Sequence, residues 1–121
     1  MATATGHTQA IQASRVIGTD VYNTEGEHIG TVEDVMLDKS SNNIMYAVVG
    51  FGGFLGIGEK YHTIPWASLD YEPRRGGYVV PFTRSQLEAA PVYDINDLTR
   101  DDGTQPRDAS YDYYKVPRYW L

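Results

Sequence analysis

The stretch Gly50-Phe51-Gly52-Gly53-Phe54-Leu55-Gly56-Ile57-Gly58 most invites a chemical reading, because glycine-rich loops cradle phosphates by presenting backbone N–H groups. Its spacing fails both phosphate patterns. A dinucleotide fingerprint starting at Gly50 and Gly52 needs glycine where Leu55 stands. A phosphate loop running from Gly53 to Gly58 needs lysine at 59, where Glu59 precedes Lys60. His7, His28 and His62 form no His-x-x-x-His pair and read as structural or solvent-exposed rather than as metal ligands. Asp94, Asn96, Asp97, Asp101 and Asp102 before Gly103 suggest calcium. Placing Gly103 at position six of a calcium loop, however, puts Leu98 and Arg100 at ligand positions one and three. Glu25, Glu27, Glu33, Asp34 and Asp38 make an acidic hairpin that reads as a solvated face rather than an acid–base pair. No serine sits in a Gly-x-Ser-x-Gly elbow, and Arg74-Arg75 is too small a patch for nucleic acid. The expectation is a protein with no catalytic residues, no metal site and no cofactor.

The elements that would have to position any such group are short. In 121 residues there is room for one domain. Ten Lys plus Arg against 16 Asp plus Glu give a net charge of −6, which disfavours a nucleic-acid backbone or an anionic bilayer as the main partner. Without cysteine, disulfides, thiolate metal sites and cysteine nucleophiles are excluded. Residues 1–14 have neither a basic n-region nor an apolar h-region. The longest uncharged stretch, Ser40 to Gly58, holds five glycines and is a poor membrane span. A cytoplasmic protein without membrane insertion is therefore expected.

Composition divides the chain into a flexible leader (1–13), a domain (14–92) and an Asp/Tyr-rich C-terminal extension (93–121). Within the domain the apolar runs are β-branched or aromatic and broken by turn residues, which predicts a mainly-β fold of about six strands with one short helix. The predicted strands are Arg15 to Tyr22, His28 to Asp38, Ile44 to Phe51, Glu59 to Trp66, Leu69 to Glu72 and Tyr78 to Phe82. In the second, the apolar residues slip out of period two, so a β-bulge is expected near Gly30 or Glu33-Asp34. Apolar on both faces, the third should be covered on both sides. Thr83-Arg84-Ser85-Gln86 fits a capping box and predicts a helix over Thr83 to Ala90. Six such strands bury their edges best as a small closed or partly open barrel.

The order of these elements resembles the PRC-barrel family, known from the cytoplasmic domain of the photosynthetic reaction-centre H subunit and the C-terminus of ribosome-maturation factors. The resemblance is carried by Gly18-Thr19-Asp20-Val21-Tyr22, by Gly26-Glu27-His28-Ile29-Gly30 with Thr31-Val32-Glu33-Asp34-Val35, by Ala47 to Lys60, and by Ile64-Pro65-Trp66-Ala67-Ser68-Leu69. It covers about residues 14–92 and implies a module that binds other proteins, with no shared catalytic set. The leading reading is a non-catalytic interaction or assembly module that self-associates as a homodimer or larger. One alternative is a small-ligand-binding protein or enzyme with its site between barrel and tail. Another is a ribosome-maturation accessory factor that grips a basic ribosomal protein.

The candidate partner-binding residues are Phe54, Leu55 and Ile57 of the glycine-rich stretch and Tyr113, Tyr114 and Trp120 of the tail. Self-association is expected through the uncharged Ile44 to Phe51 strand or the glycine-rich stretch. Five of the ten tyrosines lie in residues 91–121, a usage enriched at interfaces. With Pro117 favouring extended backbone, the tail is expected to dock as an irregular or extended segment on the barrel or on a neighbouring copy.

Overall fold

The computed structural model describes residues 11–50 and 61–120. Six strands form one sheet: β1 (Asp20–Tyr22), β2 (His28–Asp38), β3 (Asn43–Gly50), β4 (Tyr61–Pro65), β5 (Asp70–Glu72) and β6 (Gly77–Val79), in the spatial order β4-β3-β2-β1-β6-β5. A helical turn α1 (Ala13–Val16) precedes them, and α2 (Arg84–Ala89), α3 (Ile95–Leu98) and α4 (Thr104–Tyr114) follow. All neighbours pair antiparallel except β1 and β6, which run parallel. At that parallel seam a Cβ on Gly77 would stand 2.5 Å from the Asp20 carbonyl oxygen, so only glycine lets the two backbones approach.

Among the described residues no hydrogen bonds close the sheet, since β4 and β5 do not pair. It must nevertheless curl. A flat six-stranded sheet would set its outer strands about 24 Å apart, whereas the five residue steps from Pro65 to Asp70 reach at most about 18 Å. That connection is a single 3₁₀ turn, Trp66–Ser68. The curl is helped by bulges. Ile29 is skipped in the β1–β2 pairing and Glu33 in the β2–β3 pairing, both where the sequence led one to expect irregularity. A third skip, at Met45 of β3, was not expected. It turns Met45 to the same side as Tyr46 and Val48, while Ala47 and Val49 face the interior with Val21, Val32, Ile64 and Val80.

Several elements differ from the sequence reading: α3 was not expected, the predicted Tyr78 to Phe82 strand is β only over Gly77–Val79, and both ends of the chain depart from it. Only the last three residues of the predicted Arg15 to Tyr22 strand are β. Gly18, at φ +87°, breaks the run, the Thr19 hydroxyl donates back to the Arg15 carbonyl, and Val16 turns into the core. The tail, expected as irregular or extended, is helical from Thr104 to Tyr114. Pro106 falls in the first turn, where its missing N–H belongs to a group that has no intrahelical partner anyway. Pro117 lies beyond Lys115, which ends the helix in the left-handed conformation. The buried stripe of α4 is Pro106, Ser110, Tyr111 and Tyr114, whose partly polar composition hides the helical period. The helix α2 has the expected Thr83/Gln86 capping box.

The tail also answers the demand that β3 be covered on both faces. Its outer side, with Met45, Tyr46 and Val48, packs with Leu98 of α3. Tyr111 donates to the Met45 carbonyl (2.7 Å), Tyr46 to the Gly103 carbonyl (3.3 Å), and Ser110 to the Thr63 carbonyl. Self-association through β3 therefore loses its premise, because the face thought to need a second copy is covered by the same chain.

Two measurements test this packing. His62 is fully buried on β4, and burial lowers its pKa from 6.5 to about 4. Between those values the unfolded chain binds a proton that the folded chain refuses. Stability should be complete above pH 6.5 and fall by about 3 kcal/mol as the pH drops to 4. His62→Leu should flatten denaturant midpoints across that window, and an unchanged pH slope would count against the burial. Tyr114 stacks on Phe82 at 4.2 Å between centroids, and its hydroxyl has no hydrogen-bond partner among the described residues. Tyr114→Phe should raise stability by about 1 kcal/mol in urea melts, and a loss would reveal a partner.

Candidate functional site

A groove of about 1040 Å³ lies at the end of the sheet where β1, β5 and β6 meet the segment leading from α1. Its aromatic part comes from Trp66, in the 3₁₀ turn, Tyr71 of β5 and Tyr78 of β6. The Tyr78 ring stands edge-on to both others, at 6.1 Å from Trp66 and 5.8 Å from Tyr71. Register sets this array, since Tyr71 and Tyr78 are directly paired across β5 and β6. At the opposite lip Ile11 and Ile17 are 46% and 39% exposed. Two charged residues line the groove, Arg15 and Asp20. Asp20 meets His28 Nε2 at 2.9 Å, and Arg15 Nε donates to the Gln12 side chain. Aromatic and aliphatic side chains thus share the lining with polar ones such as Gln12, Ser14 and Thr19.

A second concavity, of about 840 Å³, lies between the β2–β3 hairpin and the tail. Asp38, Lys39, Asp102 and Arg107 line it, and two of them, Asp38 and Arg107, are engaged with each other and with the tail. Asp38 is 6% exposed, an exception to the solvated acidic face read from the sequence. Its Oδ1 accepts from the backbone N–H groups of Ser40 and Ser41, and its Oδ2 accepts the Tyr119 hydroxyl at 2.6 Å. Arg107 Nη1 lies 3.6 Å from Oδ2. The hydrogen bonds, Tyr119 first, hold the Asp38 carboxyl below its ordinary pKa. Arg107 also stacks on Trp120, 3.8 Å from the ring centroid, and contacts Asp108. The arrangement clasps the chain end onto the hairpin.

Of the six candidate partner-binding residues, Phe54, Leu55 and Ile57 lie outside the described residues. The other three are brought together by the tail and packed on their own chain. Tyr114 is in the core, Tyr113 donates to the Gln86 carbonyl, and Trp120 stands edge-on to Tyr111 at 4.9 Å. The groove residues were not singled out from the sequence. Trp66, Tyr71 and Tyr78 each read simply as strand aromatics, and only the sheet order joins them. Asp38 was partly legible, since Asp-Lys-Ser-Ser is a turn that a carboxylate caps, but its pairing with Tyr119 spans 81 positions. Among the described residues no group of three or more His, Cys, Asp or Glu could hold a metal ion.

If Asp38 anchors the tail, Tyr119→Phe should cost about 1 kcal/mol. Asp38→Ala, which also strips two turn N–H groups and leaves Arg107 partly unmatched, should cost about 2–3 kcal/mol. Denaturant melts give both values, and hydrogen exchange should show residues 116–120 losing protection while β2 and β3 keep theirs. Equal costs would place the anchor elsewhere.

Comparison with known proteins agrees with this architecture. No curated protein matches the chain. Among the described residues no helix is long and apolar enough to cross a membrane. A family model of the PRC-barrel domain matches residues 9–87, the span that holds α1, all six strands and the groove, and the chain belongs to that family.

Proposed function

We propose that this PRC-barrel protein is a non-catalytic protein-interaction and assembly module that acts in the cytoplasm and self-associates. The observation that carries the reading is the groove, where an edge-to-face aromatic array lies opposite two exposed isoleucines and the lining charges are few. Burial of such surface by a partner is favourable at about 25 cal/mol per Å² and needs no chemistry. The family relationship supports a small interaction module. Self-association rests on the glycine-rich stretch, where Phe54, Leu55 and Ile57 place three large apolar side chains among five glycines.

Light scattering at micromolar concentration is the test of assembly. The expected mass exceeds 13.5 kDa, and Leu55→Asp should return the protein to the monomer. A wild-type monomer would overturn self-association. A broad substrate screen that found one activity abolished by a single substitution would overturn the non-catalytic reading.

A further inference from the structure

Between α3 and α4 the backbone is held in a left-handed run. Asp101, Asp102 and Gly103 take φ values of +54°, +55° and +77° in succession. Residues with a side chain visit that conformation singly, so two aspartates in a row are costly. Such strain persists only where the surroundings hold it. Here the Gly103 carbonyl accepts from Tyr46 and the Asp101 carbonyl from the Thr104 hydroxyl. Gly103 is also packed so closely that a Cβ would stand 3.1 Å from the Tyr46 hydroxyl oxygen. The two aspartates themselves are exposed.

The contacts that dock α4 and the chain end lie beyond this turn. Ser110 and Tyr111 bond the Thr63 and Met45 carbonyls, Tyr114 stacks on Phe82, and Arg107 and Tyr119 meet Asp38. None of them requires tail and sheet to belong to one molecule. Were the turn to open into extended backbone, α4 and residues 115–120 of one copy could make the same contacts on a second copy, with the strain released in both. Each β3 would keep the cover it has, so the exchange needs no uncovered face. A short connection under strain favours such swapping. Tethering opposes it, because a tail joined by a short turn competes at an effective concentration in the millimolar range. At micromolar protein the closed form therefore prevails. We propose that Asp101-Asp102-Gly103 is a strained hinge through which two copies of the chain exchange α4 and the chain end, so that Asp38 of each copy is met by Tyr119 of the other. This dimer goes beyond the contact through the glycine-rich stretch and does not depend on it.

The test uses the full chain carrying Leu55→Asp, which removes the contact through the glycine-rich stretch. Unfolded in urea and refolded at about 1 mM, near the effective concentration of the tether, it should form a dimer that survives dilution to micromolar concentration. Asp101→Val with Asp102→Val and Asp101→Gly with Asp102→Gly lose the same charge but differ in backbone preference, since valine resists the left-handed conformation and glycine adopts it freely. The valine pair should raise the dimer-to-monomer ratio at least about tenfold over the glycine pair, and alanine at both positions should fall between them. The chain has no cysteine of its own. Ser40→Cys in one preparation and Thr104→Cys in another place single thiols on the hairpin and on α4, at residues that line the same cavity. A short bis-maleimide should join the two preparations after they are refolded together. A monomer at every concentration, a dimer without that cross-link, or equal ratios across the glycine, alanine and valine pairs would overturn the exchange. In each of those cases, micromolar assembly lost through Leu55→Asp alone would leave the glycine-rich contact standing.

Discussion

The structure depends on covering β3 twice. Met45 to Val49 are all buried, so the strand needs an apolar layer on each side. One layer is the interior of the curled sheet, where Ala47 and Val49 meet Val32 and Ile64. A six-strand sheet of this size has nothing of its own for the other side. The C-terminal extension supplies it. Leu98 packs on the outer cluster, and three hydroxyls, those of Tyr46, Ser110 and Tyr111, bond backbone carbonyls across the junction. These bonds do more than seal surface. The apolar layer has little directional preference, whereas each hydroxyl must find one particular carbonyl or remain buried without a partner, so they fix where α4 lies along β3 and β4.

That placement sets the course of the last residues. Once α4 is fixed, its end delivers Val116 to Trp120 beside the β2–β3 hairpin, and Lys115 in the left-handed conformation turns the chain back. Arg118 then grips Asp112 through both carboxylate oxygens at 2.8 Å, Trp120 lies against Arg107, and Tyr119 reaches Asp38. The exposed pairs add little by themselves. Asp38 is different, because a carboxylate this buried must have its hydrogen bonds filled. The two turn N–H groups fill part of the need and the tail completes it, so the hairpin and the chain end stabilise each other.

Sequence pattern revealed the parts governed by neighbours along the chain. The bounds of β2 (His28–Asp38), the Thr83/Gln86 cap and two bulges were legible because each depends on side-chain period or on a local donor and acceptor. The α1 turn was missed because Val16 and Ile17 read as strand residues and a single glycine redirects them. The helix α4 was missed because its buried stripe includes a proline, a serine and two tyrosines, so no apolar repeat marks it. The groove could not be read at all. Trp66, Tyr71 and Tyr78 converge through the sheet order β1-β6-β5, and a parallel β1–β6 pair leaves no local trace except the glycine at 77.

The tail's aromatic richness bears on how such segments are read. Tyrosine and tryptophan offer large apolar area and a polar tip, equally useful against a partner or against the chain's own sheet. What separates the two cases is whether an exposed apolar face lies within reach and whether carbonyls there need donors. Here β3 supplies the face, and the Met45 and Thr63 carbonyls accept from Tyr111 and Ser110. The tail is thereby used up in cis along one side of the molecule. On the other side α1, the 3₁₀ turn and β5 border a groove in which Ile11 and Ile17 are exposed and Trp66 and Tyr71 partly so, while Tyr78 is buried. A domain that seals one flank with its own extension keeps a concave opening on the other.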